Sequence, residues 1–131
     1  IPSVIWSIHR TTSLTGASSP VTFDNTGVSL GGAWNASTNI VTIPVSGIYQ
    51  IHVTATCTVN GTVNFQLMWN NVAYANIYNT STNLDGVVMK TRAIMIDAKV
   101  GDTLFIATDS TTSLYSNSMK LISFTGFLLA L

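Results

Sequence analysis

The chain has 131 residues and a mass of 14.0 kDa, the size of one domain. Five Lys and Arg balance five Asp, Glu is absent, and the uncharged Thr, Ser and Asn (19, 14 and 11 residues) make up about a third of the chain. This excludes the clustered basic surface that nucleic acid requires and the basic amphipathic segment of a membrane-surface binder. The longest apolar run, Phe127 to Leu131, is far short of a bilayer span, and a 47% hydrophobic content at zero net charge excludes disorder.

Strand signals follow one another from the start. Val4, Trp6 and Ile8 alternate along the chain before a Ser/Thr-rich turn at Thr11 to Pro20. The clearest segment runs from Ile48 to Val59. Tyr49, Ile51, Val53, Ala55, Cys57 and Val59 share one face, and Gln50, His52, Thr54, Thr56 and Thr58 the other, the period of a half-buried antiparallel strand. Asn60-Gly61 reads as a two-residue hairpin turn, since both residue types tolerate positive φ. The return strand places Val63, Phe65, Leu67 and Trp69 opposite Asn64, Gln66 and Met68. Asn70-Asn71 is the next turn, and Val72 to Tyr78 a further strand.

Asn79 to Gly86 is polar and reads as a loop. Val87 to Ala98 resumes strand character with Ile94, Ile96 and Ala98 inward. A turn at Gly101-Asp102 and a strand from Leu104 to Thr108 follow. Asp109 to Asn117 reads as a second polar loop, holding Leu114 and Tyr115. The last strand, Leu121 to Leu129, breaks the alternation. Phe124, Gly126 and Leu128 point one way, Phe127 and Leu129 the other, so both faces are apolar. A strand buried on both faces of an antiparallel protein needs a second cover, for which a partner subunit is the simplest choice. Eight to ten short strands with a turn every 8–12 residues predict an all-β sandwich or jelly roll.

Little in the chain points to catalysis. The five Asp are scattered and several stand in turns, where Asp bonds its own backbone. Asp102 reads as structural. His9 and His52 fall on outward faces with no supporting carboxylate or Cys motif, so neither zinc nor general-base chemistry is expected. No nucleophile elbow or phosphate-cradling glycine loop occurs. Cys57 is alone and reads as a small buried hydrophobe. The expectation is therefore a non-enzyme with no cofactor and no metal. Sequons at Asn35, Asn60 and Asn79 are as many as chance supplies in so Asn-, Ser- and Thr-rich a chain.

The remaining candidates are loop aromatics and amides suited to a sugar, a ring for its apolar face and amides for its hydroxyls. They are Trp69 with Asn70 and Asn71, the loop residues Asn79, Thr82, Asn83 and Asp85, and Tyr115. The competing reading packs Trp69 in the core or between subunits and leaves the loop as solvated surface. The start at Ile1-Pro2, without Met, is expected of a piece of a longer protein.

Six short segments in order carry a resemblance. Gly31-Gly32-Ala33-Trp34-Asn35 precedes Ile43-Pro44-Val45-Ser46-Gly47-Ile48-Tyr49-Gln50-Ile51, with Val21-Thr22-Phe23-Asp24 before both. Leu67-Met68-Trp69-Asn70, Val100-Gly101-Asp102-Thr103-Leu104 and Phe124-Thr125-Gly126-Phe127-Leu128-Leu129 follow. The pattern resembles the globular head of complement C1q and the wider superfamily that includes the tumour necrosis factor cytokines, and it covers nearly the whole chain. The resemblance implies a ten-stranded jelly roll that assembles as a homotrimer, with Trp6, Tyr49, Phe65, Phe124, Gly126, Phe127 and Leu129 in its core or trimer contacts. Pro44 would enter the strand at its first residues, and Gly47 would turn the chain before Tyr49.

The low charge and Thr/Ser/Asn-rich loops look like an extracellular head on a viral or phage fibre, or on a bacterial cell- or spore-surface filament, with a host glycan or surface protein as receptor. The alternatives are a structural trimerisation cap and a secreted soluble lectin or signalling head. No nucleic-acid partner and no membrane insertion are expected.

Overall fold

Wherever the period of two runs, the chain is extended. The computed structural model describes residues 1–80 and 87–131. Among these residues there are twelve strands and no helix. They are β1 (Ile5–Arg10), β2 (Leu14–Thr15), β3 (Asn25–Leu30), β4 (Trp34–Asn35), β5 (Ile40–Thr42), β6 (Gly47–Cys57), β7 (Thr62–Trp69), β8 (Val72–Thr80), β9 (Val88–Ala98), β10 (Thr103–Thr108), β11 (Ser113–Leu114) and β12 (Ile122–Ala130). The excess over the expected ten comes from two-residue pairings such as β2 with β11, inside segments that read as turn and loop.

Two antiparallel sheets form a sandwich. One has seven strands in the order β2-β11-β6-β12-β1-β3, with β9 also on β6; the other has five in the order β4-β5-β10-β7-β8. Both apolar faces meet in one core. Trp6, Tyr49, Phe65 and Phe124 are fully buried there, with the Trp6 ring edge-on to Phe124 at 5.7 Å and tilted against Tyr49 at 6.1 Å. The Tyr49 hydroxyl donates to the Val45 carbonyl at 2.7 Å, which satisfies the one polar atom of that side chain. Gly126 sits beneath the Trp6 ring. A Cβ there would overlap Trp6 Cζ2, Cη2 and Cε2, so only glycine lets β12 pass under the indole.

Several expectations need correction. Asn60-Gly61 does turn the chain, with Asn60 at φ 58° and the Gly61 N–H donating to Thr58 O at 2.9 Å, but it closes no hairpin. One edge of β6 is taken by β12 and β11 and the other by β9, so the chain must cross to the second sheet to form β7. Val59 lies beyond the strand and is exposed. Thr56, expected outward, is buried because its hydroxyl donates to Leu121 O at 2.9 Å. Asn79 is not in a loop. It and Thr80 continue β8 opposite Val63 and Thr62. Leu114, Thr112 and Ser116 are buried, so the Asp109–Asn117 segment is a packed flap. Pro44 precedes β6 rather than entering it. Gly47 is the first residue of β6 and makes room for the Ala130 carbonyl; its φ is not positive and it makes no sharp turn.

The strand registers sort the turns between two ends. The 30–34, 43–46, 70–71 and 99–102 connections lie at one end, together with residues 1–4 and 131 beyond the paired ends of β1 and β12. The connections at 10–13, 58–61 and 109–121 lie at the other.

Candidate functional site

The candidate residues do not gather in one place. Trp69, Asn70 and Asn71 stand at the end that carries both termini. Asn79 and Tyr115 stand toward the opposite end. Thr82, Asn83 and Asp85 lie outside the described residues.

Around Trp69 the β7–β8 turn meets the β9–β10 turn. Asn70 and Asn71 both adopt left-handed conformations, φ 51° and 65°, as a tight hairpin requires. Asp102 receives the Trp69 indole N–H at 3.0 Å, the Asn70 amide at 3.1 Å and the Lys99 N–H at 2.9 Å. The Lys99 and Asn70 donors, and to a lesser degree the Trp69 indole, hold its carboxyl below the usual carboxylate range against an opposing cost of burial. Asn70 Oδ1 in turn accepts the Thr103 N–H at 2.9 Å. A register shift between Leu67 and Met68 leaves Tyr74 as the extra residue of a bulge, and its ring meets Trp69 edge-on at 5.0 Å. The indole N–H and the Asn70 amide are therefore engaged in joining two turns. Asn71 is exposed, beside exposed Val72 and Tyr74.

Toward the opposite end Asn79 is half-buried, and its amide faces the sulfur of buried Cys57 at 3.9 Å. Burial raises the Cys57 thiol above its ordinary value, so it stays protonated. Tyr115 is half-buried, anchored by its N–H to Thr56 O at 2.8 Å, and its hydroxyl accepts from the Asn117 amide at 3.2 Å. Among the described residues no group of three His, Cys, Asp or Glu is placed to hold a metal, and no pocket opens.

One cluster escaped the sequence reading. On the outward side of β7 and β8, Asn76 donates to Asn64 Oδ1 at 3.0 Å and Asn64 donates to Asp109 Oδ2 at 2.9 Å. Asp109 also accepts the Thr111 hydroxyl at 2.6 Å and the Thr112 hydroxyl at 3.2 Å. These donors, Thr111 first and Asn64 next, bring its carboxyl down to about 2. Tyr78 is paired with Asn64 on the same face and is exposed. The signal was present in the alternation of Asn64 with Val63 and Phe65, but nothing local ties Asp109 to it.

The outer face of the seven-stranded sheet differs in kind. Register places Leu30, Ile5, Phe127, Gln50 and Met95 in one row across β3, β1, β12, β6 and β9. Val28 adjoins this row beside Ser7, and Leu129 follows Phe127 along β12. Leu30, Met95 and Leu129 are 51%, 58% and 44% exposed, and Phe127 is half-buried. Of the residues expected in core or trimer contacts, Trp6, Tyr49, Phe65, Phe124 and Gly126 are thus inside the protomer, while Phe127 and Leu129 lie on its surface.

Known structures share this architecture. The globular domain of zebrafish complement 1qA is similar at 19% identity and a TM-score of 0.73, over 96% of this chain and 97% of that one. Murine APRIL is similar at 13% identity and a TM-score of 0.77, over 97% and 99%. Eiger TNF from S. frugiperda follows at 14% identity and a TM-score of 0.70, over 99% and 94%. A search of curated protein sequences finds no match. The model of the C1q domain matches residues 5–129, nearly the full jelly roll described above, and the chain belongs to the C1q domain family.

Proposed function

We propose that the chain is a homotrimeric, non-enzymatic head that binds a host-surface glycan or protein outside the cell, at the tip of a viral or phage fibre or of a bacterial surface filament. C1q domains are generally trimeric and non-enzymatic. The observation that carries the trimer is a pair of different apolar surfaces that stay exposed among the described residues of one protomer. The first is the Leu30–Ile5–Phe127–Met95 row with Leu129. The second is the edge formed by β8, where Val72, Tyr74 and Tyr78 are 66%, 51% and 66% exposed. A face that fits a different patch on its neighbour makes a heterologous contact, and heterologous contacts that close form a ring.

Extracellular placement is supported by the low charge and by the relatives' kind; no helix among the described residues is long and apolar enough to cross a membrane. A stalk attached at either terminus leaves from the Trp69 end, so the end with Tyr115 and Asn60 points outward. A second reading, a trimerisation cap without a ligand, is favoured by the engagement of Trp69, Asn70 and Tyr115 within the protomer. Light scattering at low micromolar protein tests the trimer. A mass three times the 14.0 kDa protomer is expected, and a protomer mass overturns it. Reproducible binding of that trimer on a glycan array or to host cells supports the receptor reading, and its absence on both favours the cap.

A further inference from the structure

The chain has two histidines, and both lie on the outer face of the seven-stranded sheet. His52 on β6 pairs with Thr125 on β12 and with Ala93 on β9. His9 on β1 pairs with Ser123 on β12 and with Asn25 on β3. Ser7 and Thr125, hydrogen-bonded to each other at 3.0 Å, join the two positions across the sheet. On this face His52 stands one row from the apolar row assigned above to subunit contact, and His9 two rows from it.

We propose that this face is an acid-sensitive subunit contact, in which protonation of His9 and His52 separates the trimer into folded protomers. The proposal rests on the homotrimer reading above. A neutral imidazole tolerates burial between subunits, whereas an imidazolium needs a paired carboxylate or water.

Among the described residues, the strands of this face place no such carboxylate beside either histidine. β1, β3, β6 and β12 contain no Asp, and the chain has no Glu. On β9 the single carboxylate is Asp97, opposite Ile48, about 13 Å along the strand from Ala93. It is already paired with Lys99 at 3.2 Å. The other charged groups of β9, Lys90 and Arg92, are cationic, and Arg92 donates to Asn76 O at 2.8 Å. β8 itself has no charged residue. Near His9, Arg10 is bound to the carbonyls of Thr12, Ser13 and Thr22, and Asp24 is held by the Thr11 N–H and hydroxyl. Lys120 approaches His9. Burial first, and this lysine second, lower the imidazole below its ordinary value, and its Nδ1 is enclosed without a partner.

The direction follows from linkage. An imidazolium is harder to cover between subunits than a neutral imidazole, so assembly is favoured at neutral pH and weakened as the pH falls. Three of the carboxylates stay ionised through the interval tested. Asp24 and Asp102 are held below the usual carboxylate range and Asp109 at about 2.

The test is the mass of the protein by light scattering at about pH 7.5 and about pH 5.0, at one protein concentration and ionic strength, with circular dichroism at both. The expected result is a three-protomer mass at the higher pH and a protomer mass at the lower, an unchanged β spectrum, and reassembly on neutralisation. His52→Gln, at an exposed position, moves the dissociation midpoint to lower pH, and His9→Gln with His52→Gln retains the trimer at about pH 5.0. A trimer mass for the unmodified chain at the lower pH overturns the acid-sensitive contact and leaves the homotrimer standing. A protomer mass at the higher pH overturns both. Dissociation unchanged by His52→Gln and by the double variant overturns the assignment to histidine. If the double variant does not fold, His52→Gln alone decides.

Discussion

Gly126 shows how one residue constrains a fold of this kind. Its missing Cβ is the space that the Trp6 indole occupies, and Trp6 is fully buried between Tyr49 and Phe124. Gly126→Ala forces a rigid ring or the β12 backbone to move, and overpacking of this type costs roughly 1–3 kcal/mol. The expected outcome is a lower guanidinium midpoint with an unchanged slope. Adding Trp6→Phe should recover part of the loss, because contacting residues couple by about 0.5–3 kcal/mol. An unchanged midpoint for Gly126→Ala would show that the ring moves freely. Gly126 was legible in the sequence as a core or contact position, but its partner was not, since Trp6 is 120 residues away along the chain.

At the scale of elements, two Asn-led turns with the same local signal behave differently. Asn70-Asn71 closes the β7–β8 hairpin with both residues left-handed. Asn60-Gly61 turns the chain from one sheet into the other, because both edges of β6 already have partners. The hairpin reading therefore predicts opposite responses at Asn71. Asn71→Gly removes the strain of a left-handed side-chain residue and should raise the unfolding midpoint. Asn71→Val should lower stability by roughly 1–2 kcal/mol, the cost of that conformation for an ordinary side chain. Equal midpoints for the two variants would mean that the turn relaxes. Asn70 is left in place, since its amide joins this turn to Asp102 and Thr103. That junction was not legible locally. Asp102 reads in sequence as a turn residue that bonds its own backbone, and it does so through Lys99, but it also holds Trp69 from another strand.

For the whole molecule, the apolar outer face is the feature with the largest consequence. Phe127 is only half-buried in the protomer, so Phe127→Asp should leave the jelly roll folded while placing a carboxylate in the centre of the apolar row. The expected outcome is a protomer mass at neutral pH with an unchanged circular dichroism spectrum. A retained trimer mass would locate the contact elsewhere and remove the basis for the heterologous ring. The sequence already contained half of this result, because a last strand apolar on both faces demands two covers. The other half, the alignment of Leu30 and Ile5 with Phe127, depends on pairings between β3, β1 and β12.

The sequence by itself determined β1, β6 to β10 and β12, the two-sided last strand, the Asn70-Asn71 hairpin and the family, because period-two patterning, turn chemistry and motif order are local properties. The tertiary structure decided which strands pair, which candidate polar groups are already engaged, and which residues share a surface. Those depend on edges, registers and hydrogen bonds between residues far apart in the chain. This is why Trp69 and Asn70 read as ligand residues in sequence and stand as a junction between two turns in the fold.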